Sequence, residues 1–192
     1  MDYITLEKIV KEREKPSRFE HSLGVVEVSE VLARRFRLDV ELSRMIGIFH
    51  DYNRYMDGDD MLSFCRKRGI AIEKEEEENP MLLHGAVAAW YFPRITNNWD
   101  EKAQLAIRHH TLASRSMGAL GAVLYVADYS EKGRRHIDDN DRLEIWGKAN
   151  LEEMVLDVIR REEEYSYSIN RNVACVTLDC KAFLLEGGKF AH

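Results

Sequence analysis

Four histidines and two aspartates stand where a metal centre could be built: His21, His50, Asp51, His84, His110 and Asp128. Imidazole and carboxylate together bind iron, manganese, cobalt or zinc without any thiolate. Two ions about 3.5–4 Å apart need a carboxylate between them. Asp51, adjacent to His50, is the candidate bridge. His21, His50 and Asp128 would then serve one ion with Asp51, and His84 and His110 the other. That division leaves positions open for water and substrate oxygens, as a catalytic site requires. A single histidine on an apolar helix is more often a core residue than a ligand, and a His-Asp pair is common by chance. The order of the whole set, H, then HD, H, H and D, with each member beside helix-forming apolar sequence, is what distinguishes it from chance.

Helices must position these residues, because helical apolar spacing recurs along the chain and strand-like alternation is weak. Ser17 and Glu20 form a capping-box pattern ahead of a helix running to about Phe36, with His21 in its first turn. Asp39 can cap the next helix, whose apolar face ends at His50-Asp51. Asp59 or Asp60 starts another, which Gly69 can stop. The run EKEEEE at 73–78 reads as a solvated surface loop or helix turn. Asn79-Pro80 reads as N-cap and first residue of a helix to about Tyr91 that carries His84. Helices are expected at about 100–110 and 117–129, then at 141–148, 150–169 and 177–185. The fold class is therefore all-α, with roughly eight to ten helices. In a compact bundle, helix ends bearing the six residues can converge on one end of the core. A motif-bearing part at about 17–135 and C-terminal helices at about 141–186 are expected to make one domain. The apolar face of 150–169 suits packing on the bundle or on a second subunit, so a homodimer is one expectation.

Composition narrows the partners. The net charge is −6, which argues against a general nucleic-acid binder. No apolar run approaches the roughly 20 residues that span a bilayer, and the charged N-terminus has no signal-peptide core. Cys65, Cys175 and Cys180 form no C-x-x-C pair and suit free thiols in a reducing compartment. A cytoplasmic protein is expected. Several other residues read as unremarkable: His136 as exposed, His192 as a disordered terminus, and Trp90, Tyr91 and Phe92 as core. Tyr52 and Tyr129, each next to a candidate ligand, are candidates to line a substrate pocket.

The segments RFEHSLGVVEVSEVLA, IGIFHDYNRY, LLHGAVAAW, AIRHHTLA and LYVADYSEKGR cover most of 17–135. In order and spacing they resemble the HD-domain phosphohydrolases, and most closely the bacterial HD-type symmetrical diadenosine-tetraphosphate hydrolases of the YqeK type. The resemblance implies an HD-domain helical bundle and a dinuclear metal-dependent phosphohydrolase. It makes His21, His50, Asp51, His84, His110 and Asp128 the ligands, with His110 and not His109 in that role. Iron is the implied metal ahead of manganese, cobalt or zinc. The implied substrate is a dinucleoside polyphosphate, split symmetrically into nucleoside diphosphates by a metal-bridging hydroxide. Arg134 falls on an arginine expected to contact substrate phosphate, with Lys132 and Thr111 as further candidate contacts. Arg54 stands where the family usually has lysine. It can clamp a phosphate but is a poor proton donor. Gly133 replaces an expected turn residue. Two alternatives stay open: an HD phosphohydrolase acting on other nucleotides or phosphomonoesters, and a nucleotide-binding module of low turnover, which the change at Arg54 keeps alive.

Overall fold

The computed structural model describes residues 1–192 as helices and connections without a strand. In chain order they are α1 (Tyr3–Arg13), α2 (Pro16–Phe36), α3 (Val40–Phe49), α4 (Gly58–Arg68), α5 (Lys74–Glu78), a 3-10 turn (Pro80–Leu83), α6 (His84–Thr96), α7 (Glu101–Arg108), α8 (Gly118–Ser130), α9 (Asp139–Trp146), α10 (Leu151–Ser168) and α11 (Cys175–Leu185). Helix α8 is the axis of the core. Its residues Ala119 to Ala127 are all buried, as expected of a helix that is apolar all round. It packs against α2, α3, α7 and α10. Phe49, Phe92, Leu124 and Met154 are fully buried in the main core, while Met61, Phe64 and Leu83 belong to a smaller cluster under α4. No helix is long and apolar enough to cross a membrane.

Eleven α-helices form against the eight to ten expected: α1 adds a helix at the charged N-terminus, and α5 is a five-residue helix where a surface loop or helix turn is expected. Helix α1 buries Tyr3, Leu6 and Val10, an i, i+3, i+7 stripe within a charged sequence. The Ser17–Glu20 capping box does not form. Lys15 is the N-cap and Pro16 the first helical residue, since proline's fixed φ suits that position and the capping slot falls on a residue without an acceptor. Asp57, not Asp59 or Asp60, caps α4 by accepting from the Asp59 N–H at 2.9 Å. Pro80 opens a 3-10 turn rather than a continuous helix, and the α-helical part begins at His84 itself.

Two surface expectations change. The acidic run is not wholly solvated: Glu76 is buried and takes both Arg108 amines, at 2.6 and 2.7 Å. A buried carboxylate needs such a partner, and this pair ties α5 to the end of α7. The C-terminal tail is also ordered. Phe190 is buried, Ala191 O accepts from the Ala119 N–H at 2.8 Å, and the His192 carbonyl accepts from Lys102 at 2.7 Å. The tail thereby satisfies an amide in the first turn of α8 that lacks a helical partner.

Candidate metal centre

The ends of five helices bring the six residues together. His21 comes from the first turns of α2, while His50 and Asp51 follow α3. His84 begins α6, His110 follows α7, and Asp128 lies near the end of α8. His50, Asp51, His84 and His110 are each no more than 5% exposed. Asp51 sits between two groups of imidazoles. Its Oδ1 is 3.0 Å from His84 Nε2 and 3.7 Å from His110 Nε2. Its Oδ2 is 3.4 Å from His50 Nε2 and 4.0 Å from His21 Nε2. Asp128 Oδ1 lies 3.0 Å from His21 Nε2 and 3.8 Å from His50 Nε2. Three overlapping triads can each hold an ion: His21, His50 and Asp51; His50, His110 and Asp128; and Asp51, His84 and His110.

Every ring turns the same edge inward. Nδ1 of His50, His84 and His110 donates to the carbonyl three residues earlier, Gly47 at 2.7 Å, Met81 at 2.6 Å and Ile107 at 2.8 Å. A carbonyl only accepts, so Nδ1 of each ring carries a proton and Nε2 is the edge left to face the cluster. His84 and His110 then oppose two such nitrogens at 3.0 Å, and His50 Nε2 is buried without a hydrogen-bond partner. Acceptors facing acceptors in a buried space fit a bound cation. The donor set, imidazole and carboxylate without thiolate, fits a first-row divalent metal.

The charges respond accordingly. Burial works against ionisation of Asp51, yet His50, His110 and His84 reverse it and hold the carboxyl well below the usual range. Burial also opposes the His50 cation, but Asp51 and Asp128 outweigh it and raise this imidazole to about 9, so a metal ion bound at Nε2 would take the place of a proton there. His110 is lowered to about 4, mainly by burial. Arg134 overcomes burial to keep Asp128 ionised.

Of the expected phosphate contacts, Arg134 reaches the cluster. Its Nε donates to the Asp128 carbonyl at 2.7 Å, one amine pairs with Asp128 Oδ1, and the same amine is 3.4 Å from His21 Nε2. Thr111 borders the main cleft and donates to Leu82 O at 3.3 Å. Lys132 is exposed and lines a smaller recess that His21 and Glu131 also border, not the main cleft. The Arg54 side chain makes no hydrogen bond or ion pair and lines neither space; only its backbone N–H is engaged, on Asp51 O at 2.8 Å. His109 is in none of the triads, and burial lowers it to about 4. Tyr129 lines the cleft, whereas Tyr52 stacks on Phe49 at 4.5 Å and packs against the core.

Three features escaped the sequence reading. Arg18, one turn before His21, donates to Asp51 Oδ2 at 2.9 Å; its i, i+3 spacing from a ligand was a usable signal. Glu131, three residues after Asp128, holds His21 Nδ1 at 3.0 Å. Gly24 and Gly133 leave room for that carboxylate: a Cβ at Gly24 would lie 2.5 Å from Glu131 Oε2, and one at Gly133 3.0 Å from both oxygens. The Gly133 N–H also donates to Glu131, while the missing Cβ is the physical reason for the glycine. Finally, α10 walls the cleft with Arg161, Glu162 and Tyr165, for which no local motif existed.

A buried nest of imidazoles and carboxylates at one end of an all-α bundle defines a metal-dependent hydrolase. The HD domain model matches residues 18–143, and the chain belongs to that family; it is an HD-type phosphohydrolase. Among curated relatives, the symmetrical bis(5'-nucleosyl)-tetraphosphatase of Bacillus subtilis (strain 168) is 36% identical over 129 residues, 65% of this chain and 67% of that one. The protein of the same name from Staphylococcus aureus is 25% identical over 174 residues, 90% and 89% of the two chains. A crystal structure of a predicted HD superfamily hydrolase involved in NAD metabolism, from Clostridium acetobutylicum, shares the fold. It has a TM-score of 0.88 at 24% identity and covers 97% of this chain and 98% of that one.

Proposed function

We propose that this protein hydrolyses diadenosine tetraphosphate, or a related dinucleoside polyphosphate, symmetrically to nucleoside diphosphates. The observation that carries the reading is Asp51, buried between two imidazole groups with one oxygen toward each. The names of the curated relatives support the substrate. His21, His50, Asp51 and Asp128 would hold one ion, and Asp51, His84 and His110 a second. Iron is the first choice because the family resemblance implies it; the imidazole–carboxylate set itself also suits manganese, cobalt or zinc. Bound there, divalent ions supply a nucleophile at neutral pH and Lewis-acid polarisation of the phosphoryl group. The three backbone-held rings keep their inward edges fixed through turnover. Arg134, beside Asp128, can neutralise charge that develops on the leaving phosphate. The guanidinium of Arg54 is uncommitted and remains available to phosphate beyond the cluster, with Lys132 and Thr111 as outer contacts.

The test is anaerobic purification, metal analysis, and incubation with diadenosine tetraphosphate while nucleotides are separated. ADP as the sole nucleotide product, from protein holding two first-row ions per chain, is expected. ATP with AMP, or phosphate released from a nucleoside monophosphate in preference, overturns the assignment.

A further inference from the structure

Beside His110 and Asp128 a cleft of about 580 Å³ opens toward α9 and α10. Its size falls within the roughly 300–1,000 Å³ typical of small-molecule sites. The floor and the outer wall differ in charge. On the floor, Arg134 borders the ligand cluster. On the outer wall the only arginine is Arg161, and its guanidinium is committed to Asp141 and to Glu144, the latter at 2.8 Å. Glu162 and Glu164 face the same space; one Glu162 oxygen already accepts from the Tyr125 hydroxyl, whereas the Glu164 carboxylate has no protein partner. No free cation stands there to meet a phosphate, and the carboxylates would repel one. Carboxylates accept from hydroxyl and amino groups instead.

The wall also carries aromatic surface. Tyr129 and His136 meet edge to face with centroids 4.7 Å apart. Tyr165 is 66% exposed and stands on the rim, a ring face that no protein group covers. We infer that this outer wall binds the uncharged nucleoside of the substrate, by ring stacking and by carboxylate acceptance from ribose and base, while the phosphate chain stays on the floor. The inference rests on the proposed hydrolysis of a nucleotide and adds where its nucleoside is read. Much of the reading falls to α10, beyond residues 18–143 matched to the HD domain.

Binding of ADP and of pyrophosphate to the metal-loaded protein, by calorimetry, tests this directly. Wild-type protein should bind ADP about 10-fold or more tightly than pyrophosphate, the scale on which one base–aromatic contact contributes. Tyr165→Ala should weaken ADP about 10-fold and leave pyrophosphate unchanged; because Tyr165 is exposed, the fold should survive. Glu164→Gln should weaken ADP in the same selective way. In turnover, Tyr165→Ala should raise KM for the dinucleotide with little change in kcat. Equal wild-type affinity for ADP and pyrophosphate, or parallel weakening of both in Tyr165→Ala, overturns the subsite and leaves the hydrolase reading standing. Selective ADP binding without dinucleotide hydrolysis does the reverse.

Discussion

On the ligand side of the cleft, side chains are buried, short of freedom and committed. His50, His84 and His110 hang from carbonyls of their own helix ends, and Asp51 lies among them at 3% exposure. Across the cleft, Arg161, Glu162 and Tyr165 are long and partly or largely exposed. Arg161 pairs with Asp141 and Glu144 of α9, and Glu162 accepts from the Tyr125 hydroxyl of α8, so their partners are side chains and not backbone carbonyls. The first side must hold atoms to within tenths of an ångström for chemistry to proceed. The second can shift to suit a ligand without moving the reacting centre. On the proposed reading, the molecule separates where the bond breaks from where the substrate is chosen.

The comparison can be broken most severely at its centre. Asp51→Asn should reduce dinucleotide hydrolysis by on the order of 10³-fold or more, the scale of losing a key electrostatic element, and should empty the metal site; full activity with two ions retained would remove Asp51 from the bridging position. Next in size is the clamp behind the ligands. Glu76→Gln strands Arg108 in a mostly buried site, and breaking such a pair costs about 3 kcal/mol. Urea titration should show that loss, and an unchanged midpoint would mean the pair carries no weight. Glu131→Gln removes the charge behind His21 and should weaken metal binding by about 10–100-fold, read by chelator competition. Unchanged affinity would leave the carboxylate a merely structural group. Smallest is Arg134→Ala, which should raise KM about 10-fold, since a hydrogen bond to a charged group contributes about 1.5–3 kcal/mol. Metal loss as its main effect would move Arg134 from phosphate contact to the support of Asp128.

The two sides also differ in how far the sequence revealed them. The six residues of the cluster lie at helix termini, and each terminus is written locally in an apolar run and its break. Helix α8 was legible for the same reason, as an unbroken apolar segment ending near Asp128. The α10 wall was not, because its helical pattern records which face is buried and not what the exposed residues look across at. Glu76 failed to stand out because four of its immediate neighbours are also glutamates and lysine; only the fold selects the one that meets Arg108. The chain end was misjudged because the amide that Ala191 satisfies lies 72 residues away, at Ala119.

The carbonyls of Gly47, Met81 and Ile107 have an evolutionary consequence. No substitution deletes a main-chain oxygen, so drift in neighbouring side chains cannot strip these three rings of their orienting partner. The ring of His21 lacks that protection, since its partner is the side chain of Glu131. Glu131, together with the glycines that make room for it, is therefore where a lineage could retune this centre with a single codon.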